Sequence, residues 1–198
     1  MTAAYFQTLF GDAARALQVE AGSRDAYARM EARAGEGADA FTEKEIAFLE
    51  RRDSFYMASV TADGWPYVQH RGGPAGFVKV LGPQRIGFAD YPGNRQYISL
   101  GNVDGDDRVA LFFMDYPARR RLKLIGHAKR VTPGEAMIDP ADGAESALIV
   151  DVVGFDWNCP KYITPRFTLA DIGPGIEALR DENARLRAEL ARYKGGQE

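Results

Sequence analysis

The feature that most constrains this chain is a tract, residues 54–157, in which strand-forming runs follow one another at close spacing. Phe55–Val60 is rich in strand formers, and Trp65-Pro66-Tyr67-Val68 follows it across Asp63-Gly64. An Asp-Gly pair between extended runs is a strong hairpin signal, because both residues tolerate the positive φ that a tight turn needs. Further strands are predicted at 76–81, 85–89, 108–115, 120–131 and 147–156, with turns at Gly82-Pro83 and Thr132-Pro133-Gly134. One short helical pattern, near 94–101, interrupts them. Strands at this spacing, without crossover helices, predict an antiparallel barrel or sandwich and not a parallel α/β sheet.

Helical patterns flank the tract. Leu9, Ala13, Ala16 and Leu17 fall at helical spacing; Ala21-Gly22-Ser23 breaks the run, and Ser23 can cap a second helix reaching about Arg33. Gly35 and Gly37 break it again. Thr42-Glu43-Lys44-Glu45 matches a capping box, with Phe41 and Ile46 placed as a hydrophobic staple, and starts a helix to about Arg52. Near the C-terminus, Ile176, Asn183 and Leu190 fall at a positions of a heptad, and Leu179, Leu186 and Tyr193 at d. Such a helix pairs with a second copy or packs on its own barrel. The expected organisation is an N-terminal helical extension over 1–41, a barrel domain over 42–170 and a C-terminal heptad helix over 171–198.

Composition narrows the function. At 198 residues and 45% hydrophobic content, one domain can bury a core without covalent staples. The single cysteine, Cys159, forbids an internal disulfide and fits a reducing compartment. A net charge of -3 lacks the basic excess of nucleic-acid binders. No apolar stretch is long enough to span a bilayer, and Met1–Phe10 does not read as a signal peptide, so a cytoplasmic location is expected. Two histidines and one cysteine at unrelated spacings make no metal site.

The candidate chemistry is anion binding. In Asp90–Leu100 a strand feeds Pro92-Gly93, and Asn94 is placed to cap the helix that follows. Free N–H groups at a helix start attract anions, and Arg95 can grip a phosphate with two parallel hydrogen bonds. The competing reading is a capped surface helix with a solvated arginine. Arg71 ends a strand just before Gly72 and Gly73, glycines that allow a ligand or a backbone to approach; otherwise it is an edge-strand arginine in water. Alternation aims His70 at the face opposite Arg71. Arg121 and Lys123 share one face of a later strand, with Leu122 and Leu124 on the other. Either cation can join a phosphate site, and the competing reading is a solvated strand start. No acid, base or nucleophile stands out in a catalytic pattern.

Taken in order, Gln69-His70-Arg71-Gly72-Gly73, Gly76-Phe77-Val78, Phe88–Arg95, Asn102, Arg108–Phe113 and Leu122–Ala128 resemble the pyridoxamine 5′-phosphate oxidase-related flavoproteins. The resemblance spans roughly residues 42–168. It implies a mainly β chain with helical additions: a six-stranded antiparallel split β-barrel that forms a homodimer and holds FMN at the subunit interface. Arg71 matches the basic strand position near the flavin phosphate, and Asn94 and Arg95 match the polar-Arg pair of the phosphate loop. Gln96 stands where the biosynthetic oxidases typically carry lysine. Asp156–Ile163 resembles an Asn-Cys-Pro stretch of a subgroup, which implies that Trp157, Asn158 and Lys161 lie near the flavin. Core packing is the competing reading for Trp157, and a small buried hydrophobe is the competing reading for Cys159. The implied activity is FMN-dependent oxidation or reduction of a small molecule. The alternative is a non-catalytic flavin- or haem-binding module, or a barrel holding a nicotinamide-like or deazaflavin cofactor. The charged C-terminal helix replaces the basic, aromatic end with which the biosynthetic oxidases bind substrate phosphate.

Overall fold

The structure is a computed structural model and describes residues 1–34, 39–139, 143–157 and 160–195. Its strands are β1 (Ser54–Val60), β2 (Pro66–Gly72), β3 (Val78–Gly82), β4 (Arg85–Asp90), β5 (Arg108–Asp115), β6 (Arg120–Val131) and β7 (Ser146–Trp157). They form one antiparallel sheet in the order β2-β1-β5-β6-β7-β4-β3. Edge strands β2 and β3 do not pair with each other, so the sheet curls without closing, as a split barrel does. The fold class is the expected one. The strand number is seven rather than six, one for each extended run in the sequence.

The helices are α1 (Ala3–Leu9), α2 (Asp12–Glu20), α3 (Arg24–Ala34), α4 (Glu43–Leu49), α5 (Ile98–Gly105) and α6 (Leu169–Gly195). Two compact units result, one of residues 1–115 and 120–161 and a smaller one of 116–119 and 162–198.

In the larger unit, strand alternation decides what is buried. Phe55 and Met57 of β1, Leu111 and Phe113 of β5, and Leu122 and Leu124 of β6 point inward and are buried. Phe55 lies 4.6 Å from Phe113 and 4.9 Å from Phe88, ring centre to ring centre. Each such ring contributes roughly 1.5–3 kcal/mol by leaving water. Helix α4 adds Phe48 and Leu49 to this core. The predicted capping box is present: the Thr42 N–H donates to Glu45 Oε2 at 3.0 Å, and the Thr42 hydroxyl donates to the same oxygen.

Glycine works at two close approaches. β6 shifts register against β7 at Ile125/Gly126, and a Cβ on Gly126 would lie 2.4 Å from the Asp151 carbonyl oxygen. A Cβ on Gly154 would lie 2.7 Å from the Tyr5 backbone nitrogen, so only glycine lets α1 settle on β7. There the Thr2 N–H donates to the Phe155 carbonyl at 3.0 Å, and the Phe155 N–H donates to Thr2 Oγ1 at 3.0 Å. The buried Asp39 carboxylate accepts the Ala3 and Ala4 N–H groups at 3.2 and 3.1 Å. It caps α1 from a distant point in the chain. Tyr5 and Phe6 are buried, whereas α2 and α3 have no buried residue.

In the smaller unit, α6 starts at Leu169, ahead of the heptad. Thr168 and Asp171 make a reciprocal cap, with the Thr168 N–H and hydroxyl each 2.8 Å from Asp171 Oδ2 and the Asp171 N–H 3.2 Å from Thr168 Oγ1. Pro174 lies inside the helix.

Candidate functional site

β2 and β4 sit far apart in strand order, but the curl of the sheet brings the end of one to the end of the other. A cleft of about 50 Å3 forms there, lined by Arg71, Gln69, Asp90 and Ser99 together with the loop residues Asn94, Arg95, Gln96 and Tyr97. Arg71, Asn94, Arg95 and Gln96, named from sequence as phosphate-loop residues, therefore meet around one space.

Arg71 pairs with Phe55 across β1, on the inward side of its strand. Its Nη1 donates to Asp90 Oδ1, and both side chains are almost fully buried. The Nε–H of Arg71 is buried and has no hydrogen-bond partner among the described residues. An unsatisfied buried donor costs about 1–3 kcal/mol, and a ligand oxygen would relieve it. His70 points the other way, its ring 5.6 Å edge-on from Tyr56.

The loop corrects one expectation. Asn94 does not cap α5, which starts at Ile98 after Tyr97. Asn94 Oδ1 instead accepts the Gln96 N–H at 3.3 Å, a local turn of the kind asparagine favours. Arg95 and Tyr97 have φ of 57° and 53°, two of the five left-handed non-glycine residues among those described. Such a backbone is uncommon for bulky residues, costs on the order of 1–3 kcal/mol each, and concentrates at functional sites. Arg95 is exposed and makes no salt bridge among the described residues. Ser99 donates its hydroxyl to Gln69 Oε1, which ties the start of α5 to β2.

The other sequence candidates lie elsewhere. Arg121 and Lys123 are on the outer face of β6, with Leu122 and Leu124 inward as expected. Arg121 lies 5.5 Å from the Phe112 ring centre, and its Nε–H is buried without a partner among the described residues. Lys123 is 2.9 Å from Asp156 and 5.4 Å from the Tyr5 ring centre. Burial opposes its charge, but hydrogen bonds to Asp156 and Tyr5 outweigh burial and raise its pKa. Trp157 donates its indole N–H to Glu45 Oε1 at 2.5 Å, with Phe48 edge-on at 4.7 Å and Lys44 Nζ 4.3 Å from the ring centre. Gly72 lies against the chain itself, its Cβ position 3.1 Å from His70 Cε1. Lys161 is exposed in the turn after β7. Asn158 and Cys159 lie outside the described residues.

A family model described as pyridoxamine 5′-phosphate oxidase matches residues 41–145, more than half of the chain. The chain belongs to that family. The matched segment contains all of β1–β6, both ends of the cleft, and Arg71 through Gln96. Solved structures similar to this family member include a candidate pyridoxamine 5′-phosphate oxidase from Lactobacillus delbrueckii, 18% identical, covering 61% of this chain and 97% of its own, with a TM-score of 0.47. HupZ from Group A Streptococcus is 12% identical over 64% of this chain and 100% of its own, with a TM-score of 0.46. HutZ from Vibrio cholerae, described as a heme storage protein, is 16% identical over 58% and 92%, with a TM-score of 0.41. No curated protein matches the sequence.

Sequence reasoning missed Asp90, Gln69 and Ser99 as cleft residues. Asp90 was readable only as a strand end, and nothing local announces that its carboxylate meets Arg71. No helix among the described residues is long and apolar enough to cross a membrane.

Proposed function

We propose that this chain is an FMN-binding flavoprotein that carries out oxidation or reduction of a small molecule, with the flavin phosphate held in the β2/β4 cleft. The observation that carries the reading is the convergence of Arg71, Asn94, Arg95 and Gln96 on one cleft from two separate segments. The donor set fits a phosphate monoester. Arg95 supplies an exposed guanidinium, and Arg71 supplies a buried N–H that has no partner among the described residues. Asp90 is already engaged by Arg71, so it aligns that side chain and leaves the remaining N–H groups for the ligand. Glu145 also lines the cleft and sets a limit on how much negative charge it accepts.

Bound flavin would supply hydride and electron transfer, chemistry that side chains lack. The protein's part is to anchor the phosphate and cover the ring. The outer face of β1, β5 and β6 supports a homodimer as the cover: Tyr56, Ala58, Ala110, Phe112 and Ile125 line apolar grooves of about 450 and 360 Å3 there. Arg121, beside Phe112 on the outer face of β6 with an Nε–H that has no partner among the described residues, is a further cation that can serve a flavin shared between subunits.

The visible spectrum of the purified protein tests this reading. Flavin bands, and FMN uptake by apo-protein, support it. A Soret band points to the haem-binding alternative, and no uptake of FMN overturns the proposal.

A further inference from the structure

We infer that α6 pairs with the α6 of a second copy of this chain as a parallel, in-register two-stranded coiled coil. The seam is exposed over its whole length: Leu179, Leu186, Leu190 and Tyr193 are 65%, 49%, 54% and 70% accessible, and Ile176 is 38%. A run of leucines at heptad spacing left in water needs an occupant, and the charges beside it specify which one.

With Ile176 at a, the e positions are Arg180, Arg187 and Lys194, and the g positions include Glu182 and Glu189. All of these e residues are basic and both g residues are acidic. In a parallel in-register pair, g residues meet the e residues of the next heptad across the seam. Glu182 then faces Arg187 of the second copy, and Glu189 faces Lys194 of the second copy. An antiparallel pair would set g against g and e against e, glutamate on glutamate and arginine on arginine. The charge pattern therefore selects a second identical helix and its direction together.

Asn183 agrees with this reading. It sits at the central a position, and in the isolated helix its Nδ2 donates back to the Leu179 carbonyl at 3.2 Å. In a parallel in-register pair the two Asn183 amides meet and can bond each other, the arrangement by which a lone a-position asparagine fixes register. The local ion pair from Arg185 to Glu182 at 2.6 Å is exposed and weak, so exchanging it for the interhelical contact costs little. A coil this short is marginal alone. The inference leans on the homodimer proposed above, because subunits already joined hold their tails at about millimolar effective concentration.

The test uses the full-length chain with Cys159→Ser, carrying Leu179→Cys or Tyr193→Cys, under mild oxidation. Sedimentation equilibrium reports the mass in parallel. Both single variants should cross-link between subunits, since in-register parallel helices place each residue beside its own copy. Adding Glu182→Lys and Glu189→Lys should lower the cross-linked fraction about tenfold or more at low salt. Adding Arg187→Glu and Lys194→Glu on top should restore it. A dimer in which none of Leu179→Cys, Tyr193→Cys and a third single variant, Leu186→Cys, cross-links overturns the coil and leaves the barrel dimer standing. Cross-linking through Leu186→Cys alone, near the middle of the seam, means antiparallel tails and overturns the direction. A monomer overturns both the coil and the dimer.

Discussion

Replacing Glu45 by glutamine should destabilise the fold by far more than a conservative exchange ordinarily does. One carboxylate serves three donors: the Thr42 N–H and hydroxyl on Oε2, and the Trp157 indole N–H on Oε1. Burial alone would raise its pKa, but the hydrogen bonds from Thr42 and Trp157 overcome burial and lower it below the ordinary 4.5. A glutamine amide has a single oxygen. If that oxygen faces Thr42, an NH2 meets the indole N–H and a charge-assisted bond of about 1.5–3 kcal/mol is lost. If it faces Trp157, the capping box fails at a cost of about 1 kcal/mol. Glu45→Gln should therefore cost about 1–3 kcal/mol, a Tm drop of roughly 2–12 °C for a chain of this size. The assay is thermal unfolding followed by circular dichroism and by Trp157 fluorescence in a Trp65→Phe background. The pH dependence gives a second check. The folded pKa is depressed, so the unfolded chain binds the proton more readily. The stabilisation is then complete above 4.5 and disappears as pH falls through the folded value. The gap between wild type and Glu45→Gln should accordingly close in acid. Equal Tm values at neutral pH, or a gap that persists unchanged in acid, would refute the reasoning.

Arg95→Ala should weaken FMN binding roughly tenfold to a hundredfold without lowering stability, since Arg95 is exposed and makes no ion pair among the described residues. Arg71→Ala strands the buried Asp90, so Arg71→Ala/Asp90→Asn is the cleaner variant, and it should lose FMN affinity by a similar factor while remaining folded; both are read by flavin fluorescence titration. Gly154→Ala puts a methyl where Tyr5 N lies 2.7 Å away, and should release α1, measured as faster hydrogen exchange and proteolysis at Tyr5 and Phe6. A chain starting at Ala40 should keep its flavin, with a lower Tm because burial of Tyr5 and Phe6 is lost.

Local patterns made much of the fold legible, and distant pairings hid the rest. Each extended run became a strand because alternation, as in Leu122 and Leu124 against Arg121 and Lys123, carries the same information as the sheet. The box from Thr42 to Glu45 was readable because a cap is a contact across three residues. That the same Glu45 also receives Trp157 could not be read, since the two lie 112 residues apart in sequence and meet only where α4 packs beside the end of β7. Arg71 with Asp90 is the same case, and so is Asp39 capping α1. Asn94 misled because asparagine serves caps and turns by one chemistry, and the left-handed backbone at Arg95 and Tyr97 delays the helix to Ile98. The C-terminal helix, expected over 171–198, starts two residues earlier at Leu169, where Thr168 and Asp171 cap it, and it carries Pro174 inside.

The central claim is that the cleft holds the flavin through its phosphate, and the most direct measurement compares FMN with riboflavin, which differs only by that group. Apo-protein is titrated with each, following quenching of flavin fluorescence. The account predicts that FMN binds at one per chain and about a hundredfold or more tighter than riboflavin, and that Arg95→Ala removes much of the difference. Equal affinities for FMN and riboflavin, or a preference for FMN that survives in both Arg95→Ala and Arg71→Ala/Asp90→Asn, would contradict it.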